Sequence, residues 1–359
     1  MPLRDEADER SQRRPRAIVV GCAGERLTRE EKCFFAAADP LGFILFRRNC
    51  RNRDQLRALV DALRGSVSRA DAPVLIDQEG GRVARLSPPE WRVYPAAAQL
   101  AALPDLHAAE AARLDARLIA DDLAAVGITV DCAPVLDLPA HGADPVIGDR
   151  AFGDEPARVA RLGRAFCEGL LAGGVLPVIK HIPGHGRARV DSHRACPVVE
   201  AGREILAHSD FAPFRALSDM PWAMTAHIVY AAIDDSTPAT LSRQVIDTII
   251  REEIGFDGVL LSDDIAMGAL DGSLGERTGR AFDAGVDLVL HCSGVMAEMV
   301  EIVEAAPLIS PAAEARITRG ETLRQSRREG FERGAAERRL AELLAGAAGP
   351  APDQTRSRA

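Results

Sequence analysis

Short, continuous apolar runs rich in β-branched residues recur along the chain, each followed by a stretch with helical periodicity. They are AIVVGC (17–22), GFILF (42–46), PVLID (73–77), ITVDCAPVLDL (128–138), VLPVIKH (175–181), WAMTAHIVY (222–230), GVLLSDD (258–264) and DLVLHC (287–292). Runs that are apolar throughout, rather than at alternate positions, predict strands buried on both faces, as in a parallel sheet. The intervening segments include helical patterns over 106–127, 156–174 and 275–286. Eight strand–helix alternations predict an α/β chain with one (β/α)8 TIM-type barrel; a doubly wound open sheet gives no reason for eight repeats. The helix-forming, Arg- and Glu-rich residues after the eighth run predict a C-terminal helical extension. The barrel domain with that extension is expected over 17–348, between charged, disordered tails at 1–16 and 349–359.

In such a barrel, chemistry gathers at the carboxyl ends of the strands. Polar residues stand at that end of six runs. Asp77 follows the third, with QEGGRVAR after it, and the fourth leads through VLDL to DRAFG at 149–153. Lys180 and His181 end the fifth, and His227 lies in the sixth. Ser262, Asp263 and Asp264 end the seventh, and His291 the eighth. This convergence predicts one polar site.

The densest segment is KHIPGHGRARVDSH at 180–193, whose Pro183, Gly184 and Gly186 exclude regular structure. A metal hydrolase could use His181, His185, His193 and Asp191 as ligands. It is disfavoured because the first strand ends in Gly21, Cys22, Ala23 and Gly24, without the His-x-His pair usual at that place in barrel metal hydrolases. A Schiff-base enzyme would use Lys180, which fits better as a hydrogen-bond donor to substrate. Glycoside hydrolysis needs a proton donor for the leaving oxygen and a carboxylate across the anomeric carbon. Asp263 suits the carboxylate role, and Asp191 with His193 could form an acid/base pair. Taken alone, the D-x-H spacing fits a helix cap at Asp191 better than a catalytic pair.

Composition narrows the setting. A net charge of −9 without a basic, aromatic-laced stretch argues against a nucleic-acid partner. No apolar run is long enough to span a bilayer, and residues 1–16 lack the apolar core of a secretory signal. Seven scattered cysteines without a C-x-x-C pair suggest reduced thiols. Together these predict a cytoplasmic protein without a membrane anchor.

DQEGGRVAR (77–85), KHIPGHG followed by DSH (180–193) and SDDIAM (262–267) resemble, in order and spacing, the signature segments of family 3 glycoside hydrolases. The similarity is closest to the single-domain bacterial β-N-acetylglucosaminidases of peptidoglycan recycling. GFILFRRN (42–49), DRAFG, and the span from PATLS to GFDGVLLSDD (238–264) extend it over roughly residues 17–305. Ile182 stands where Phe is frequent in the family, and Ile265-Ala266 where Leu-Ser is frequent; both put fine specificity in question rather than chemistry.

The resemblance implies that Asp263 is the nucleophile, His193 the general acid/base and Asp191 its partner. It implies that Asp77, Arg85, Arg150, Lys180 and His181 hold the sugar hydroxyls, and that Met267 lines the sugar pocket. It further implies a retaining exo-β-N-acetylglucosaminidase without metal or other cofactor, acting as a monomer on amino-sugar saccharides or muropeptides. Two alternatives are a phosphorylase, in which phosphate accepts the sugar, and a catalytically inactive sugar-binding protein. His185, Asp264 and Glu79 are assigned supporting roles, while His227 and His291 stay open. One barrel is expected to supply the whole site, with the glycines of 182–193 letting that loop move over the sugar.

Overall fold

The computed structural model describes residues 14–347. Eight parallel strands, β1 (Arg16–Val20), β2 (Pro40–Leu45), β3 (Val74–Ile76), β4 (Val130–Asp131), β5 (Leu176–Ile182), β6 (Trp222–Thr225), β7 (Val259–Asp264) and β8 (Leu288–His291), close into one barrel. Each pairs with its neighbours in the chain, and β1 pairs with β8 in register from Ile18–Val289 to Val20–His291.

Two apolar layers follow from the alternation of side chains along a strand. Val19, Ile44, Leu75, Val130, Val178, Met224, Leu261 and Leu290 belong to one buried cluster, which fills the barrel. Their neighbours in the chain, such as Ile18, Val20, Phe43, Ile76, Ile179 and Val289, pack outward against the helices. Helix Asp105–Ala125 lies against helix Pro156–Ala172 closely enough that a Cβ on Gly169 would fall 2.3 Å from the Arg113 carbonyl oxygen. Any side chain there would force the two helices apart.

The C-terminal extension consists of helices Pro311–Ser326 and Arg333–Ala347. Gly320 of the first faces Pro221 and Trp222 at the start of β6, and Arg316 pairs with Asp257 and Asp287. This extension therefore covers the amino ends of the strands and leaves the carboxyl ends open.

Three expectations need correction. The sixth strand was expected over 222–230, but β6 ends at Thr225, and Val229–Tyr230 pairs instead with Val198–Val199 in a separate two-stranded sheet. The fourth strand was expected over 128–138, but its ladder is confined to Val130–Asp131, because Pro134 has no N–H to give. The chain still runs beside β5, with Val178 and Lys180 donating to the carbonyls of Ala133 and Pro134. The N-terminal tail was expected to reach residue 16, yet Arg16 begins β1 and the Pro15 carbonyl accepts from Ile309 N–H. Expected tail residues 1–13 and 349–359 lie outside the described residues. Among the described residues no helix is long and apolar enough to cross a membrane.

Candidate active site

The strand ends deliver their charges in register. Asp77 follows β3, and the chain then folds into the antiparallel pair Gln78–Gly80 with Val83–Ala84. The Gln78 side-chain oxygen accepts from the N–H groups of Arg85 and Leu86, both at 2.9 Å, which fixes the turn carrying Glu79 and Arg85. Lys180, on β5 and 2% exposed, donates to Asp77 at 2.9 Å and meets Glu79 at 2.7 Å. Arg150, from the short turn Gly148–Arg150, grips both oxygens of Glu79 at 2.8 Å, and Arg85 reaches Asp77 at 3.1 Å. Three cations and two carboxylates thus alternate in one network.

Burial alone would raise the pKa values of Asp77 and Glu79, but Lys180 with Arg85 and Lys180 with Arg150 outweigh it. Asp77 is held well below the usual range and Glu79 is drawn down to about 2. Burial likewise opposes the charge on Lys180, and the two carboxylates keep its pKa above the ordinary lysine value.

His181, next to Lys180, gives its Nδ1 to Asp137 at 2.7 Å. Asp137 also accepts the N–H groups of His181 and His185, so a fully buried carboxylate fixes the start of the 182–193 segment. Asp263 sits one position before the end of β7 and accepts from the Asp264 N–H at 2.8 Å. Its burial favours the neutral acid, yet His181, His227, that N–H and Lys180 together hold its pKa below the usual value. It is an ionised carboxylate at neutral pH.

Asp191 and His193 meet. His193 Nδ1 lies 2.8 Å from Asp191 Oδ1, which also accepts the His193 backbone N–H at 3.0 Å. No helix begins at Ser192; the segment is a turn, so one carboxylate caps the turn and orients the ring. Burial tends to raise the pKa of Asp191, and the two hydrogen bonds from His193 lower it on balance.

The segment 182–193, expected to move over the sugar, has two unlike halves. Its first half is packed: a Cβ on Gly186 would lie 1.9 Å from the Leu138 carbonyl oxygen, and the Tyr230 hydroxyl donates to Gly184 O at 2.7 Å. These glycines permit close backbone approach. Exposed residues begin at Arg189.

The nine predicted side chains, Asp77, Arg85, Arg150, Lys180, His181, Asp191, His193, Asp263 and Met267, all line one cavity of about 520 Å³ at the carboxyl end of the barrel. His227 and His291 lie outside its lining. His227 is held by Thr240 and the Asp264 carbonyl oxygen, and His291 by Ser293. Sequence reading gave no specific place to Asp137 or Asp131. Asp131, buried with its pKa raised by that burial, accepts the Gln78 N–H at 2.9 Å. The available signal was an acidic residue inside an apolar run, which a solvated surface does not require.

The glycosyl hydrolase family 3 N-terminal domain matches residues 21–322. A β-hexosaminidase of Alkalilimnicola ehrlichii is 38% identical over 309 residues, covering 84% of this chain and 87% of that protein. One from Neisseria meningitidis serogroup B is 39% identical over 284 residues, 77% of this chain and 78% of that one. Among solved structures, NagZ of Neisseria gonorrhoeae in complex with N-trifluoroacetyl-D-glucosamine superposes with a TM-score of 0.82. The two are 33% identical, with 92% of this chain and 98% of that one covered. With its barrel, its strand-end cavity and a match over most of its length, the chain belongs to glycosyl hydrolase family 3.

Proposed function

We propose that this chain is a retaining exo-β-N-acetylglucosaminidase that needs no metal. The observation that carries the reading is the presence of two complementary groups in one cavity: the ionised Asp263 and His193, whose Nδ1 is committed to Asp191. The other ring nitrogen, Nε2, is then the one to exchange a proton with substrate.

In the first step the Asp263 carboxylate attacks the anomeric carbon while protonated His193 gives its proton to the glycosidic oxygen, and the aglycone leaves as an alcohol. In the second, neutral His193 takes a proton from water as the water oxygen attacks the same carbon, and Asp263 leaves as a carboxylate. Two inversions give net retention. The Asp77, Arg85, Glu79, Arg150 and Lys180 network supplies charge-assisted hydrogen bonds that suit sugar hydroxyls, and Met267 offers an apolar wall.

The β-hexosaminidase relatives and the glucosamine derivative bound to the gonococcal enzyme support N-acetylglucosamine as the sugar. Wall-turnover saccharides ending in anhydro-N-acetylmuramic acid, with or without peptide, are the proposed substrates, cleaved in the cytoplasm by a monomer.

The test is release of nitrophenol from 4-nitrophenyl N-acetyl-β-D-glucosaminide in the presence of EDTA, with the anomer formed followed by NMR. Turnover with β-anomer first, lost in Asp263→Ala, supports the reading. Turnover abolished by EDTA, or the α-anomer as first product, would remove it.

A further inference from the structure

Between Arg189 and Ala195 the chain is exposed or half-exposed at every residue except one, Ser192. That residue sits between the two members of the proton-transfer pair. Its hydroxyl lies 3.0 Å from His185 Nε2, and its carbonyl oxygen accepts the Ala269 N–H at 3.1 Å. His185 is itself buried and bonded. Its N–H donates to Asp137 at 2.7 Å, its ring stands edge-on to that of His181 at 5.5 Å, and it is 3% exposed. Ala269 belongs to the segment that leaves β7 just after Asp263, and Gly268 passes so close that a Cβ there would fall 2.8 Å from the His193 carbonyl oxygen.

We propose that His185 and Ser192 form a latch that holds the exposed Asp191–His193 pair over the cavity, which makes His185 a positioning residue for protonation of the leaving group. The proposal rests on the glycosidase reading above. His185 bonds Ser192 through Nε2 and makes no hydrogen bond to Asp191 or His193, so it reaches the pair through Ser192. Burial, with His181 adding to it, keeps the ring neutral, its pKa lowered to about 4, so the latch does not change charge near neutrality. A proton donor displaced by about 1 Å loses on the order of a hundredfold in rate, so a single hydrogen bond at the root of an exposed turn has leverage. The other anchor, the Ala269 N–H to Ser192 O bond, uses backbone atoms and survives any substitution at His185.

A latch and a merely structural contact differ in which substrates they affect. A dinitrophenyl glycoside leaves without protonation, whereas an alkyl glycoside needs the acid. The experiment therefore compares kcat/KM, which reports the glycosylation step, for dinitrophenyl and alkyl N-acetyl-β-D-glucosaminides in wild type, Ser192→Ala, His185→Leu, the double variant, His185→Gln and Asp263→Ala.

The latch predicts that Ser192→Ala and His185→Leu each lose at least about tenfold on the alkyl glycoside and stay within about threefold of wild type on the dinitrophenyl one. The double variant should be no worse than the poorer single, because both remove the same contact. His185→Gln, which keeps a hydrogen-bonding group near the position of Nε2, should restore most of the alkyl activity. Ser192→Ala removes one oxygen, and its melting temperature shows whether the fold persists.

Parallel losses on both glycosides, no loss on either, or multiplying losses in the double variant would overturn the latch. Asp263→Ala must fail on both substrates. If it does not, or if wild type cleaves neither glycoside, it is the glycosidase reading that falls, and the latch falls with it.

Discussion

Lys180 Nζ and Glu79 Oε1 lie 2.7 Å apart in a nearly dry setting, the lysine side chain 2% exposed and the glutamate 6%. Glu79 also binds Arg150 through both oxygens, so one carboxylate holds two cations that would otherwise repel each other. Glu79→Leu should cost about 3 to 5 kcal/mol of stability, because it leaves buried charge uncompensated. It should also raise KM through displacement of Arg150 and Lys180. Denaturant titration and steady-state kinetics would show both. A variant as stable as wild type would mean that solvent reaches these cations.

The same carboxylate gives an acid limb to stability. Its folded pKa, about 2, lies below the ordinary value of 4.5, so the native state binds fewer protons between those values than the unfolded chain. The stabilisation is present above pH 4.5 and is lost as pH falls toward about 2. His185 acts in the same direction in a higher window, with stability present above pH 6.5 and lost as pH falls through about 4. The melting temperature of wild type should fall between pH 6.5 and 4 more steeply than that of His185→Gln, as followed by circular dichroism. Equal slopes would show that the ring is not held neutral.

The packed and exposed halves of the 182–193 segment should separate in hydrogen exchange. The amides of His185 and Ala188, bonded to Asp137 and to the His185 carbonyl, should exchange far more slowly than those of Arg189 and Val190. Gly186→Ala, which would drive a Cβ into the Leu138 carbonyl, should destabilise the protein by about 1 to 3 kcal/mol and disturb the site, whereas Arg189→Ala should not. Uniform exchange across the segment would mean that 182–193 moves as one body.

The eight strands were legible because burial on both faces writes a continuous apolar run, and every run contains a strand. The end of β4 was over-read because a run of apolar residues does not report that Pro134 cannot donate to a ladder. The packing of the segment just after Ile182 was not legible because its Pro and Gly residues read equally as freedom or as close approach, and the deciding neighbour, Leu138, lies 48 positions away from Gly186. Glu79 and Asp137 escaped a specific role for a similar reason. Their partners Arg150 and His181 are 71 and 44 residues distant, and no local pattern separates a buried counter-ion from a solvated acid.

The double-displacement route makes its strongest demand on His193. In His193→Ala the glycosyl-Asp263 ester would still form from a dinitrophenyl glycoside, because that leaving group needs no proton, but water would attack it without a base. Turnover should fall by roughly a hundredfold to ten-thousandfold, the usual contribution of general acid–base catalysis. Azide is already a nucleophilic anion and needs no base, and the missing imidazole leaves room for it beside a ring position that is 66% exposed in the native chain. Its terminal nitrogen attacks the anomeric carbon, the bond to Asp263 Oδ breaks, and the carboxylate is regenerated. Added azide should therefore restore turnover in His193→Ala and yield the β-configured N-acetylglucosaminyl azide, identified by NMR, while leaving Asp263→Ala inactive. The α-azide as product would instead mean a single displacement without the covalent ester, with Asp263 no longer the nucleophile.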